Sequence, residues 1–132
     1  MKYLIDTHIL IWAIISPEKL SKKITLIFND PENEIFVSSI SFWEISLKFS
    51  LGKIDLINIA PEDFPHASLQ TGFSIIQLSA EDCSTLHHLN LTHHKDPFDR
   101  LLIWIAINNN FTFISSDKTI KKYSSERLKV IW

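Results

Sequence analysis

The feature that most restricts the fold is a series of apolar runs too short to be helices, at residues 3–5, 35–38, 75–78, 112–115 and 129–131. Each is bounded by polar residues, and together they read as strands buried on both faces. Longer segments with helical spacing lie between them. Residues 9–16 continue the first strand into a helix that Pro17 stops, because the residue before a proline is pushed out of the α region. Residues 18–28 put Leu20, Ile24, Ile27 and Phe28 on one helical face. Ser39 or Ser41 is suited to cap a third helix running to about Leu51, with Gly52 as its stop. Pro61 and Pro65 bracket a weaker helix, Ser79 caps another, and Pro97 starts a strongly apolar one that ends in Asn108, Asn109 and Asn110. Residues 101–107 are apolar all round and belong in the middle of the molecule. Strands alternating with helices in this way predict an α/β fold: three layers, α/β/α, around a central parallel sheet.

A chain of 132 residues suits one compact unit, so residues 1–132 are expected to form a single domain. Hydrophobic residues make up 45% of it, well outside the disordered range. Cys83 is the only cysteine, which excludes an intrachain disulfide or a multi-cysteine zinc site; it is expected to be structural, in a reducing cytoplasm. Lys2 precedes an apolar stretch as in a signal peptide, but Asp6 and His8 interrupt it and no small-residue cleavage site follows. The apolar runs 9–15 and 101–107 fall far short of the roughly 20 residues that span a bilayer, so no membrane role is expected. The net charge of −2 excludes a general polycation and requires any nucleic-acid contact to be local. The basic residues Lys95, Arg100, Lys118, Lys121, Lys122, Arg127 and Lys129 outnumber the acids Asp96, Asp99, Asp117 and Glu126 in the last part of the chain.

In an open parallel sheet, sites form beyond the carboxyl ends of the strands. Two predicted strands run into aspartate there, at Asp6 and Asp117. Either is able to cap a helix, although Thr7 offers a cap that does not need Asp6. Asp99 falls in the first turn of the apolar helix and Asp96 just before it, where amides and the helix dipole favour negative charge. Glu44 also has a structural reading, since Ser41 and Glu44 fit a capping box. Capping accounts for one such acid. It does not account for Asp6, Glu44, Asp99 and Asp117 all being expected at one edge of one sheet. Like charges held about 5 Å apart repel by roughly 3 kcal/mol per pair at an effective dielectric near 20, so such a cluster holds protons or a cation. Oxygen ligands alone suit Mg²⁺ or Mn²⁺ better than zinc, and hydrolysis of a phosphodiester is the natural chemistry. Arg100, Lys118, Lys121 and Lys122 are placed either to guide nucleic-acid phosphates toward such a site or to form a solvated rim.

The segments YLIDTHILIW, SSISFWEISLKFSLGKI, DPFDRLLIWIAI and FTFISSD, in that order across nearly the whole chain, resemble the PIN domain, and in particular VapC-like toxins of toxin–antitoxin pairs. The resemblance implies a Mg²⁺-dependent endoribonuclease, with Mn²⁺ as an alternative ion, whose acidic site matches Asp6, Glu44, Asp99 and Asp117. Asp6 would be the central metal ligand and Asp99 its partner, with Asp96 as the alternative. Glu44 and Asp117 would complete the set or position water, and Ser115 would stand where a small hydroxyl residue supports the site. The resemblance also implies an RNA substrate, a cognate antitoxin and a homodimer. Ile9, Ile11, Trp12, Phe42 and Trp43 exceed one face of their helices and are divided between core and interface. Trp104 departs from the family, which commonly has small residues in that helix.

Three other readings compete. A non-catalytic PIN-like module that binds RNA or protein is disfavoured because all four acids are present. A phosphate-accepting receiver domain would want an aspartate ending a middle strand, and the strands ending near Ser38 and Leu78 offer none. The histidine pairs His87, His88 and His93, His94 suggest zinc but lack a third ligand at convincing spacing.

Overall fold

The computed structural model describes residues 1–90, 96–124 and 127–132. Five parallel strands form one sheet in the order β3-β2-β1-β4-β5. They are β1 Lys2–Ile5, β2 Glu34–Ser38, β3 Ser74–Ile76, β4 Thr112–Ile114 and β5 Val130–Ile131. The central strand β1 aligns Leu4 with Phe36 on one side and with Phe113 on the other. Side chains alternate across the sheet. Leu4 and Phe113 join a core on one face, while Tyr3, Ile5, Ile35, Val37 and Ile114 join a second core on the other. Both faces are therefore covered, giving the three-layer α/β arrangement that the short apolar runs predict.

The helices are α1 Thr7–Ile15, α2 Lys22–Asn29, α3 Ser39–Ser50, α4 Phe64–Gln70, α5 Ala80–Thr85, α6 Pro97–Asn108 and the short α7 Lys118–Lys121. Every residue of α6 from Leu101 to Ala106 is buried, as its all-round apolarity requires. Trp104 fits there because its indole N–H donates to Thr85 Oγ1 at 3.0 Å and the Arg127 guanidinium lies over its ring. Helix α3 ends in a Schellman turn: Gly52, at φ +68°, donates to the Phe49 carbonyl and Lys53 to that of Lys48.

Some local expectations fail for identifiable reasons. The helix expected over 18–28 is divided, because Pro17–Lys19 makes a single 3₁₀ turn and Ser21 then caps a fresh helix by accepting the Ile24 N–H. Helix α3 is capped by Ser38 and not by Ser39 or Ser41; Ser39 instead accepts the Leu78 N–H at 2.9 Å. Cys83 is exposed on α5 and takes no part in the core. His93 and His94 lie outside the described residues.

Leu102 is fully buried in α6. Leu102→Ala should cost about 2–5 kcal/mol in chemical denaturation. Leu26→Ala, at a position 64% exposed, should stay within about 0.5 kcal/mol of the parent.

Candidate active site

The carboxyl end of β1 delivers Asp6, which is only 3% exposed. Its Oδ1 accepts the Thr7 N–H at 2.8 Å, so Asp6 caps α1 itself and Thr7 does not. The Thr7 hydroxyl turns to α3 and donates to Ser41 Oγ at 2.9 Å. Asp6 Oδ2 accepts the Ser115 hydroxyl at 2.8 Å, and Ser115 Oγ in turn accepts the Asp117 N–H at 3.1 Å. One small hydroxyl beyond β4 thus links the two strand-end aspartates. His8 closes the arrangement from α1. Its Nδ1 lies 3.3 Å from Asp6 Oδ2, while its Nε2 lies 2.7 Å from Ser116 Oγ and accepts the Ser116 N–H. In the neutral ring this pattern puts the proton on Nδ1, facing Asp6. Nothing local in the sequence marks His8 as a member of this arrangement, because its partner stands 108 positions away.

Asp117 caps α7, its Oδ1 accepting the Thr119 N–H at 2.8 Å and the Thr119 hydroxyl at 2.7 Å. Asp96 caps α6, accepting the amides of Phe98 and Asp99 at 2.9 and 3.0 Å. Asp99 stands in the first turn beyond that cap, half-buried. The Ser41–Glu44 capping box does not form, because Ser41 already lies inside α3. Glu44 is buried and its Oε2 pairs with Lys48, one turn further along the helix. Glu44 Oε1 is buried without a partner among the described residues. Burial works against the charge on Lys48. The hydrogen bond to Glu44 and the charges of Glu44, Asp96 and Asp99 outweigh it and raise the ammonium's pKa above its ordinary 10.5. Lys48 therefore senses acids from both α3 and the start of α6.

The acids share an edge without closing on one point: among the described residues, no three of His, Cys, Asp and Glu are grouped closely enough to hold an ion. Ser115 and Thr7 compensate Asp6, and Lys48 compensates Glu44, so their repulsion is relieved separately. The chemistry of the donors, as distinct from their spacing, suits a hard divalent cation. The donors are oxygens, and Glu44 Oε1 is a buried carboxylate atom whose desolvation nothing described offsets. Arg100 Nε is likewise buried without a partner among the described residues, while Lys118, Lys121 and Lys122 are exposed. His87 and His88 bring their rings to 4.2 Å but belong to no metal-holding group among the described residues. A groove of about 550 Å³ lies between α5 and the far end of α6, away from these acids. Its Asp82 is occupied by the Asn108 amide at 2.9 Å.

The PIN domain matches residues 3–126, and the chain belongs to that family. Two solved structures share the fold over almost the whole chain. One is VapBC2 from Rickettsia felis bound to a DNA fragment from their promoter, with TM-score 0.69 and 21% identity, covering 99% of this chain and 98% of that one. The other is VapBC-1 from nontypeable Haemophilus influenzae, with TM-score 0.63 and 16% identity, covering 99% of this chain and 97% of that one. A comparison with curated proteins finds no match.

The two acids at the start of α6 differ in what they do for the helix. Asp96→Ala should cost about 1 kcal/mol in chemical denaturation through loss of the cap, and Asp96→Asn should retain most of it, since asparagine caps as well as aspartate.

Proposed function

We propose that the chain is a Mg²⁺-dependent endoribonuclease, accepting Mn²⁺, and the toxin of a toxin–antitoxin pair, acting in the cytoplasm as a single domain over residues 1–132. The observation that carries this is a buried, oriented carboxylate at Asp6 on the same sheet edge as Glu44, whose Oε1 is buried and uncompensated among the described residues. The membership in the PIN family supports it.

In this reading Asp6 and Asp99 hold the metal, with Glu44 and Asp117 completing the set or orienting water. Asp96 is the weaker candidate because two amides already engage its Oδ1. A bound Mg²⁺ would lower the pKa of a coordinated water and stabilise charge developing on a phosphoryl oxygen. Ser115 and the Thr7 amide fix the Asp6 carboxylate in one orientation, so it does not have to reorganise when substrate arrives. His8 holds the Asp6 edge to Ser116. Arg100 and Lys118 take RNA phosphates on the open side.

A protein partner is part of the proposal. The two structures above are of VapBC assemblies. On this chain Trp43, Leu47 and Leu51 recur every four residues along α3 and its C-cap and are 58%, 38% and 57% exposed. Such a stripe suits an antitoxin segment or the second copy of a homodimer. Ile9, by contrast, is fully buried and belongs to the core. Among the described residues no helix is long and apolar enough to cross a membrane.

With Mg²⁺ or Mn²⁺ the purified protein should cut single-stranded RNA internally, and EDTA should stop it. Asp6→Asn should lower kcat at least about a hundredfold, as when an interaction of transition-state charge is lost. Its fold should persist by circular dichroism. Asp96→Asn should keep most of the activity that Asp99→Asn loses. Retention of RNA without cleavage under all metal conditions would instead favour the non-catalytic PIN-like binding module.

A further inference from the structure

Lys48 has surroundings that an ordinary surface lysine lacks. Its partner Glu44 is 6% exposed at the side chain while Lys48 itself is 36% exposed, so the ammonium reaches inward from the solvent to a buried carboxylate. It engages Oε2 alone, and Oε1 remains buried without a partner among the described residues. Asp96 and Asp99 act on the same ammonium from α6. An exposed pair at this helical spacing contributes little and attracts no notice. Here the pair neutralises one acid of a set and leaves that acid half satisfied.

We propose that Lys48 is a counter-ion built into the acidic edge: its ammonium holds Glu44 when no divalent cation is bound, and an arriving cation takes Glu44 by displacing it. This rests on the metal-site reading given above. The chemistry of lysine suits such a role. An ammonium is a compact point charge on a flexible four-carbon stem, so it is able to withdraw toward water without moving α3, whereas a bidentate guanidinium would grip the carboxylate. The consequence is a competition. Lys48 keeps the acids from repelling one another in the empty protein and, by the same contact, weakens the protein's hold on metal. The site then fills at a higher metal concentration than its acids alone would set.

The test uses the whole chain without RNA. Calorimetric titration with MnCl₂ compares the parent with Lys48→Met, which keeps the length and removes the charge, and with Lys48→Arg, which keeps the charge. Lys48→Met should bind Mn²⁺ about tenfold more tightly, the factor expected when one charge-assisted hydrogen bond no longer competes. Lys48→Arg should bind no more tightly than the parent. In EDTA, Lys48→Met should unfold at lower denaturant than the parent, and saturating Mn²⁺ should reduce the difference, because the ion binds the folded state. Equal or weaker Mn²⁺ binding by Lys48→Met, with the same loss of stability in both conditions, would make Lys48 a structural residue and overturn the proposal.

A measurement on the parent protein covers the case in which Lys48→Met does not fold. The ¹⁵N–¹H signal of the Lys48 ammonium, protected while it is bonded to Glu44, should vanish as Mg²⁺ saturates the site. Its persistence at saturating Mg²⁺ would overturn displacement. If the parent binds neither ion, the metal-site reading itself fails and this inference with it; a parent that binds metal while Lys48 stays in place defeats the inference alone.

Discussion

The hydrogen bond from Ser115 to Asp6 joins residues 109 apart and fastens the ends of two neighbouring strands. The arrangement of the sheet edge follows from it. Asp6 follows a strand buried on both faces, so its carboxylate emerges where little water reaches, and an ionised group there has to be compensated. Ser115 and the Thr7 amide supply that compensation from β4 and α1. Because Ser115 also accepts the Asp117 amide, the start of α7 is fixed by the same atom. A defect at this hydroxyl would reach three elements at once.

The fold was legible because its strands and its central helix are written as uninterrupted apolar runs. Leu4, Ile5, Phe113 and Ile114 are all fully buried, and residues 101 to 106 are buried in sequence, so the placing of the apolar runs identified them. Element boundaries were less legible where two serines or a proline competed for a cap. Ser21 and Ser38 won their helices by position relative to the preceding strand or turn, which spacing within a helix does not reveal. The aspartates at strand ends were legible as a pattern. Their partners were not: the Thr7–Ser41 and His8–Ser116 contacts span 34 and 108 positions and depend on how the sheet is assembled. Glu44 was misleading in its own way, since the Ser41 that seemed to cap with it points instead toward α1.

The acidic edge also shows how a protein stores like charges without a collapse or a rupture. Four of the carboxylates have their own donors: amides for Asp96, a hydroxyl and an amide for Asp6 and for Asp117, an ammonium for Glu44. Carboxylates held in this way are separately oriented. Cap geometry and site chemistry are thus compatible uses of the same side chain, and the presence of one does not count against the other.

Helix α3 carries Glu44 on its buried side and Trp43 on its exposed side, and the Trp43 ring meets the Phe98 ring edge to face at 5.1 Å. Phe98 is the immediate neighbour of Asp99. Surface and interior are therefore two sides of one rigid rod, braced against the first turn of α6. A tilt of that rod shifts the spacing between Glu44 and Asp99 as well as the contour of its outer face. The outline that another molecule would grip and the gap between two acids are, mechanically, a single coordinate.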